Sequence, residues 1–201
     1  MIKSRFFIAA SFAAISTVSA AGTFDGPSIQ AGIGFNAAQT TLKDYSPDGK
    51  VSDTKAVGNL SLNYSKSYGA FNMAGGVFTM LGSQKSGSLR SFSVDTGGIW
   101  SDEFKLSNVW GISIEPGYNL NDSVQAYTKF SIVRATGKNT FDYTLDSTPV
   151  AGDAGSASMK HNGTGFGVGV KFKISNELYG TVEIEKLNCE YVNVLFIYQT
   201  P

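Results

Sequence analysis

The chain has 201 residues with 16 basic and 16 acidic side chains, so it carries no basic excess and we expect no nucleic-acid partner. A single cysteine excludes an internal disulfide, and one cysteine with one histidine cannot make a zinc site. We therefore expect no metal and no cofactor.

The first twenty residues have the composition of a secretory signal peptide. Two basic residues precede an apolar run over residues 6–18, and small residues follow up to Ala20. We place the cleavage after Ala20, which divides the chain into a signal peptide (1–20) and a mature domain (21–201). An N-terminal membrane anchor is the alternative, but the apolar run is shorter than the ~20 residues of a spanning helix.

Alternation of apolar and polar residues then predicts eight β-strands, because a period of two is typical of strands. In chain order they cover about 27–36, 57–65, 70–81, 105–119, 123–134, 163–174, 178–187 and 191–198. The stretches 37–56, 82–104 and 135–162 are interpreted as long loops, and 188–190 as a short fourth loop on the same side. Short turns join the strands at the other end.

The strands carry an unusual polar face. In 163–174 the apolar residues alternate with glycines and two lysines, and in 178–187 they alternate with two glutamates. No helix is predicted that could cover the apolar face, so the pattern indicates that this face contacts lipid and the polar face points inward.

An open sheet in lipid would leave unpaired backbone groups along its edges, so the sheet must close on itself. We predict an all-β fold, an eight-stranded antiparallel up-and-down transmembrane β-barrel preceded by the cleaved signal peptide. A soluble β-sandwich or a lipocalin-like barrel is the alternative. Four glycines on one face of one strand, 163, 165, 167 and 169, favour the narrow interior of a small transmembrane barrel.

The pattern also predicts the register of two hairpins. Ile112 should lie opposite Phe130, and Val170 opposite Val182, because these pairings set apolar against apolar residues and a one-residue slip would not.

The inward faces should hold a structural network of charges. Its members are Glu115, Lys129, Lys171, Lys173, Glu183 and Glu185. In the predicted registers Glu115 lies diagonal to Lys129, and Lys171 lies diagonal to Glu183, within reach of long side chains.

The sequence resembles the eight-stranded outer-membrane β-barrel proteins of Gram-negative bacteria, often labelled porin-like or OmpA-type barrel domains. The signal segment, Glu-Pro-Gly-Tyr-Asn-Leu-Asn-Asp at 115–122, Gln-Ala-Tyr-Thr-Lys at 125–129 and Gly-Phe-Gly-Val-Gly-Val-Lys-Phe at 165–172 carry the resemblance. It implies a location in the cell outer membrane, contact with outer-membrane lipid and lipopolysaccharide, and insertion by the barrel-assembly machinery. We expect a monomer.

One departure from the family lies at the end of the chain. Members usually end on an aromatic residue, whereas this chain ends Ile-Tyr-Gln-Thr-Pro at 197–201. We interpret this either as an end altered by truncation or frameshift, which would weaken barrel closure, or as an ordinary variant in which Tyr198 takes the place of the terminal aromatic.

Three functions remain open. The first is a structural or surface-interacting barrel with exposed loops and a lumen filled by side chains; an eight-stranded interior is just wide enough for that filling. The second is a narrow porin-like conduit for small solutes, and the third is a lipid-modifying enzyme. The one histidine, His161, is predicted at the end of the third long loop as a solvated residue in no recognisable motif. We therefore expect no catalytic residue and no enzyme.

Overall fold

The structure is a computed structural model of the chain and describes residues 5–18, 24–42, 49–92, 98–145, 148–149, 154–175 and 178–190. The strands in these ranges are β1 (Arg5–Val18), β2 (Gly26–Leu42), β3 (Gly49–Tyr68), β4 (Phe71–Leu81), β5 (Gln84–Phe92), β6 (Ile99–Asn121), β7 (Val124–Leu145), β8 (Thr148–Pro149), β9 (Gly155–Lys173) and β10 (Leu178–Glu190). No helix within these ranges is long and apolar enough to cross a membrane.

Eight of the strands close into an antiparallel ring. Its order is β1, β2, β3, β4, β6, β7, β9 and β10, and β10 pairs back onto β1. The chain turns at Gly82 (φ 99°) between β4 and β5, and β5 pairs with the first half of β6. β8 pairs with the last residues of β7. The predicted eight-stranded up-and-down barrel is confirmed.

The outer surface of the ring is apolar, which is the reverse of a soluble protein. Exposed side chains include Ile33, Phe35, Leu62, Val77, Ile112, Ile114, Phe130, Ile132, Phe166, Val168, Val182 and Ile184. Tyr68, Phe71 and Tyr118 are exposed near the short-turn end, where the rings of Phe71 and Tyr118 pack edge to face at 5.4 Å. An apolar band with aromatic residues at its border is the surface that a barrel presents to lipid.

The eighth position of the ring differs from the sequence prediction. The predicted strand 191–198 lies outside the described residues, and the slot between β10 and β2 holds β1, which was assigned to the signal peptide. Backbone pairing explains how β1 can fill this slot: both neighbouring strands offer rows of N–H and C=O groups that any extended segment can pair. Removal of residues 1–20 stays a prediction.

The strands are longer than predicted. Much of the three predicted long loops is paired: the β2–β3 ladder continues to Leu42 opposite Gly49, and β7 pairs with β9 from Phe141 opposite Gly155. Outside the membrane a hairpin needs no apolar face, so its residues lose the alternation that identified the strands, while the backbone ladder continues.

The two predicted registers fared differently. Val170 lies opposite Val182 as predicted. In the β6–β7 hairpin the prediction was wrong by two residues, since Ile112 pairs with Ile132 rather than with Phe130. The cause is the position of the turn, which lies between Asn121 and Val124 rather than at 120–122, together with an irregularity between Asn119 and Asn121. A two-residue shift keeps every side chain on its predicted face.

Candidate functional site in the barrel lumen

Three buried charged residues meet in the middle of the lumen. The Nζ of Lys129, on the inner face of β7, donates to Glu183 Oε1 at 2.9 Å and to Glu185 Oε2 at 3.1 Å, both on β10. Tyr127 Oη donates to Glu183 Oε2 at 2.7 Å, and Ser131 Oγ donates to Glu185 Oε1 at 2.6 Å. Both carboxylates are therefore bound by a cation and a hydroxyl.

A second buried ion pair joins this group. Lys171 Nζ on β9 donates to Glu115 Oε2 on β6 at 2.7 Å, and it lies 4.7 Å from the ring centroid of Tyr127. Lys129 Nζ lies 4.9 Å from the ring centroid of Phe78. The aromatic faces attract both ammonium groups and exclude water from them.

Glycines on β9 make the contacts of Lys129 with Glu183 and Glu185 possible. β9 separates β7 from β10, and Gly169 lies opposite both Tyr127 and Glu183. A Cβ atom built on Gly169 would come within 2.5 Å of the Tyr127 ring. In the same way Gly167 lies opposite both Lys129 and Glu185, and Gly165 lies opposite both Ser131 and Leu187. Without side chains on the middle strand, side chains of the two outer strands reach each other across it.

The structure brings together five of the six predicted network residues, but with other partners than the diagonal ones. Lys129 contacts Glu183 and Glu185 instead of Glu115, which binds Lys171. The sixth residue, Lys173, is half-buried near the short-turn end and makes no ion pair with the described residues. Diagonal reach along one hairpin was the wrong criterion, because these ion pairs join residues two strands apart. Lys129 reaches β10 across β9, and Lys171 reaches β6 across β7.

Sequence reasoning did not identify the hydroxyl groups of Tyr127 and Ser131 as members of the network. Both lie on the inward face of β7 with Lys129, and each faces a glycine of β9. A large polar residue opposite a glycine on an inward face is the signal that would have found them.

An apolar plug fills the lumen toward the long hairpins. It consists of Val57, Phe78, Met80, Leu106, Val109, Val133, Ala135 and Leu187. Asn108, with φ 50°, forms a bulge in β6, and this bulge turns both Leu106 and Val109 inward. Phe78 and Met80, both buried on the inward face of β4, belong to this plug.

The short-turn end of the lumen is also filled. The buried ring of Phe24 lies 6.1 Å from that of Tyr179, edge to face. The Phe24 carbonyl accepts hydrogen bonds from Ser65 Oγ and, at 3.4 Å, from Asn72 Nδ2. Residues just before β2 are thereby held inside the mouth.

A small polar cavity remains between the charged residues and the opposite wall. Its lining includes Gln30, Asn59, Ser61 and Asn63 on one side and Glu115, Lys129 and Glu183 on the other. Its volume of ≈ 20 Å³ has room for about one water molecule.

The position of His161 also differs from the sequence prediction. It lies inside β9 opposite Ala135 and is 1% exposed, not solvated in a loop. The strand continues further than its apolar alternation indicated, and His161 falls on its inward face. In the described part of the chain, no group of three or more His, Cys, Asp or Glu residues is placed to hold a metal ion.

A different charge cluster lies on the β5–β6 ladder, beyond the apolar band of the outer surface. Glu103 accepts ion pairs from Lys85 at 2.6 Å and from Lys105 at 2.7 Å. Hydrogen bonds from Lys105 and Lys85 hold the pKa of the Glu103 carboxyl below its usual range. All three side chains remain partly exposed to water.

Comparison with known proteins gives a family match. The model for the outer membrane protein beta-barrel domain matches residues 6–194. Among solved structures, the chain is similar to Ail, the attachment invasion locus protein of Yersinia pestis, in its complex with the heparin analogue sucrose octasulfate. The sequence identity is 12% and the TM-score is 0.38, and the match covers 94% of this chain and 99% of that chain. The outer membrane protease OmpT from Escherichia coli is similar at 10% identity and TM-score 0.35, over 94% and 96%. Comparison with curated proteins finds no significant match.

Proposed function

The chain belongs to the outer-membrane β-barrel domain family and resides in the bacterial outer membrane, and from that premise we propose that it is a closed barrel with a structural or surface-interaction role. Its three long hairpins, β2–β3, β5–β6 and β7–β9, lie outside the cell, and its short turns face the periplasm. The observation that carries this proposal is the filled lumen. Ion pairs block it in the middle, and the apolar plug and Phe24 block its two ends.

The proposed orientation can be tested by labelling in intact cells. Ser88 is exposed on β5 at the long-hairpin end, and Ala70 is exposed in a short turn. In a Cys189→Ser background, a membrane-impermeant maleimide should label Ser88→Cys and leave Ala70→Cys unlabelled until the outer membrane is permeabilised. Labelling of Ala70→Cys alone would overturn the orientation.

A conduit is the second function to test. A path for solutes would require the apolar plug and the Phe24 side chain to leave the lumen together. We expect no stable conductance steps when the purified protein is added to a planar bilayer. Reproducible conductance steps from the heat-modifiable, folded protein would contradict the closed-barrel proposal and indicate a conduit instead.

We also propose that the chain has no enzymatic activity. The burial of His161 within β9 supports this, because a lipid substrate has no route to it past the neighbouring strands. Mass spectra of lipid A from cells with and without the protein should be identical. A protein-dependent mass change would contradict the proposal.

For biogenesis, we propose cleavage after Ala20, insertion by the barrel-assembly machinery and a monomeric state. Cleavage removes β1, so the edges of β10 and β2 need another strand, and we propose residues 191–198 for that position. Residues 188–190, predicted as a loop, are paired with β9 at the end of β10, so this exchange requires them to leave the ladder and form the turn. The protein purified from outer membranes should begin at Ala21, show heat-modifiable migration and sediment as a monomer. A mature protein that retains 5–18 would overturn both cleavage and the exchange of strands.

A further inference from the structure

We propose that the small polar cavity in the lumen binds one dehydrated monovalent cation, such as sodium, between Glu115 on β6 and Thr181 on β10. The cation neutralises a negative charge that the lumen ion pairs leave over. Hard cations of this kind are bound by oxygen atoms, so the site needs none of the histidine and cysteine ligands of a zinc site.

The first step is the charge of the lumen. In the described part of the chain, the buried carboxylates and lysines are three glutamates and two lysines, so one negative charge is left over. Lys171 neutralises Glu115, whereas Lys129 is shared between Glu183 and Glu185. A buried charge without compensation is strongly destabilising, so the excess calls for a cation.

The buried histidine is too far away to supply that charge. Lys129 and Glu185 both lie opposite Gly167 of β9, and His161 lies six residues further along the same strand. At about 3.3 Å per residue the separation is about 20 Å. His161 lies opposite Ala135, which belongs to the apolar plug.

The second step is the size of the cavity beside the excess charge. Glu115, Lys129 and Glu183 line it, and its volume of ≈ 20 Å³ admits about one particle the size of a water molecule. An ion can enter only without its water shell, so protein oxygens must bind it directly. Mg²⁺ usually keeps several waters, and any divalent cation would exceed the single charge to be neutralised. One monovalent cation fits both the volume and the charge.

The third step is the presence of oxygen atoms without partners. Thr181 lines the cavity and is 4% exposed, and its Oγ1 forms no hydrogen bond with the residues that the structure describes. Glu115 binds Lys171 through Oε2, which leaves its Oε1 for another partner. Buried polar atoms are nearly always bonded, so these two oxygens indicate a ligand between them.

The wall formed by β2 and β3 presents further oxygens. Ser61 Oγ donates its proton to Gln30 Oε1 at 3.2 Å and accepts a hydrogen bond from Asn63 Nδ2 at 3.1 Å. All three residues line the cavity. A hydroxyl has one proton and two lone pairs, so Ser61 has only a lone pair left to offer. A water molecule would satisfy the same oxygens but leave the negative charge, so the charge favours a cation.

The closed lumen couples this ion to folding. The apolar plug lies on one side of the cavity and Phe24 on the other, and both are buried. The ion is therefore captured as the barrel folds and released as it unfolds, while the mobile ions of bulk salt stay outside. A ligand that binds only the folded state raises stability with its concentration.

The test measures urea-induced unfolding of the protein in zwitterionic lipid vesicles at pH 7. Sodium chloride is varied, and choline chloride holds the ionic strength constant, because choline is too large for the cavity and screening then stays the same. We expect the folding equilibrium constant to rise with sodium, approaching about tenfold for each tenfold increase near saturation. A folding constant that is independent of sodium would overturn the proposal and indicate that a proton neutralises the lumen.

Three variants locate the effect. Thr181→Val removes the unpartnered hydroxyl with little change of shape, and Glu115→Gln removes the excess charge. Thr128→Val, on the outward face of β7, is the matched control. We expect the control to respond to sodium like wild type and the two lumen variants to bind sodium at least about tenfold more weakly.

The choline reference separates binding from a structural role of the threonine. Without sodium, Thr181→Val should be at least as stable as wild type, because it no longer buries a hydroxyl without a partner. A purely structural threonine would lose the same stability in both salts. That result, or an unchanged sodium response of Thr181→Val, would overturn the proposed site.

Equilibrium dialysis against radioactive sodium tests the site without a stability measurement. Folded wild type in a non-ionic detergent should bind about one sodium ion per chain more than the same protein unfolded in urea. Folded Glu115→Gln should show no such excess. Equal sodium binding by the folded and unfolded wild type would overturn the proposal.

Discussion

Two lysine–glutamate clusters in this protein have the same short distances and different surroundings. In the lumen, Lys129 and Lys171 bind their carboxylates at 2.7–3.1 Å with side chains 0–7% exposed. On the β5–β6 ladder, Lys85 and Lys105 bind Glu103 at 2.6–2.7 Å with side chains 31–52% exposed. Distance alone would rank the outer cluster first.

Exposure to water reverses that ranking when the clusters are compared by the free energy lost on removing one partner. A buried charge that loses its partner remains in a poor solvent, and such a loss typically costs about 3–5 kcal/mol. An exposed charge regains water, and pairs of that kind contribute about 0.2–1 kcal/mol. Comparing the two clusters therefore measures, within one protein, how burial changes the contribution of a lysine–glutamate pair to stability.

The largest effect is expected for Lys129→Met. The substitution leaves Glu183 and Glu185 buried without their cation, and we expect the free energy of unfolding to fall by about 3–5 kcal/mol. Urea-induced unfolding from lipid vesicles measures this loss. Lys85→Met is the matched control and should lose no more than about 1 kcal/mol.

A compensated variant sharpens the test. In Lys129→Met/Glu183→Gln/Glu185→Gln neutral amides replace the two carboxylates that would otherwise stay buried without a cation, so the triple variant should be more stable than Lys129→Met alone. If Lys129→Met and Lys85→Met lose the same free energy, water reaches the lumen cluster and the comparison fails.

The next effect concerns the glycine strand that makes the lumen cluster possible. A Cβ at Gly169 meets the Tyr127 ring at 2.5 Å, whereas a Cβ at Gly75 on β4 meets only the carbonyl oxygen of Ser113 at 3.7 Å. Gly169→Ala should displace Tyr127 from Glu183 and cost about 1–3 kcal/mol. Gly75→Ala should cost less. The same unfolding assay checks both, and equal losses would show that Tyr127 moves aside freely.

These contrasts also explain what the sequence could predict. Period-two alternation is a local property, so it identified seven strands of the ring and the inward side of Lys129 and Glu183. Partners across the lumen depend on which strand separates two others. Lys129 meets Glu185 because Gly167 lies between them on β9. That placement follows from the registers of β7–β9 and β9–β10 together rather than from either one alone.

The failures have physical causes of the same kind. The long loops were predicted because paired hairpins in water need no apolar face, so alternation stops before the ladder does. His161 was misplaced for this reason. The two-residue error at Ile112 arose because the turn lies between Asn121 and Val124, with an irregularity beside it, and a pattern of alternate residues records neither.

The smallest effect is expected at the outer cluster and depends on pH and salt. Because Lys105 and Lys85 lower the pKa of Glu103 from its ordinary value of 4.5, the folded state favours the charged carboxylate. Its contribution is present above pH 4.5 and disappears as the pH falls through the lowered pKa of the folded state. Glu103→Gln should therefore lower the free energy of unfolding by no more than about 1 kcal/mol at pH 7, and the difference from wild type should shrink in acid.

Salt separates this cluster from the lumen cluster. At about 1 M salt the Debye length is about 3 Å, so the effect of Glu103→Gln should vanish, whereas that of Lys129→Met should persist because its partners are shielded from ions. Unfolding of wild type, Glu103→Gln and Lys129→Met at low and high salt gives the comparison. An effect of Glu103→Gln that is as large in 1 M salt as in 0.01 M salt would mean that this carboxylate acts through packing of its stem rather than through its charge.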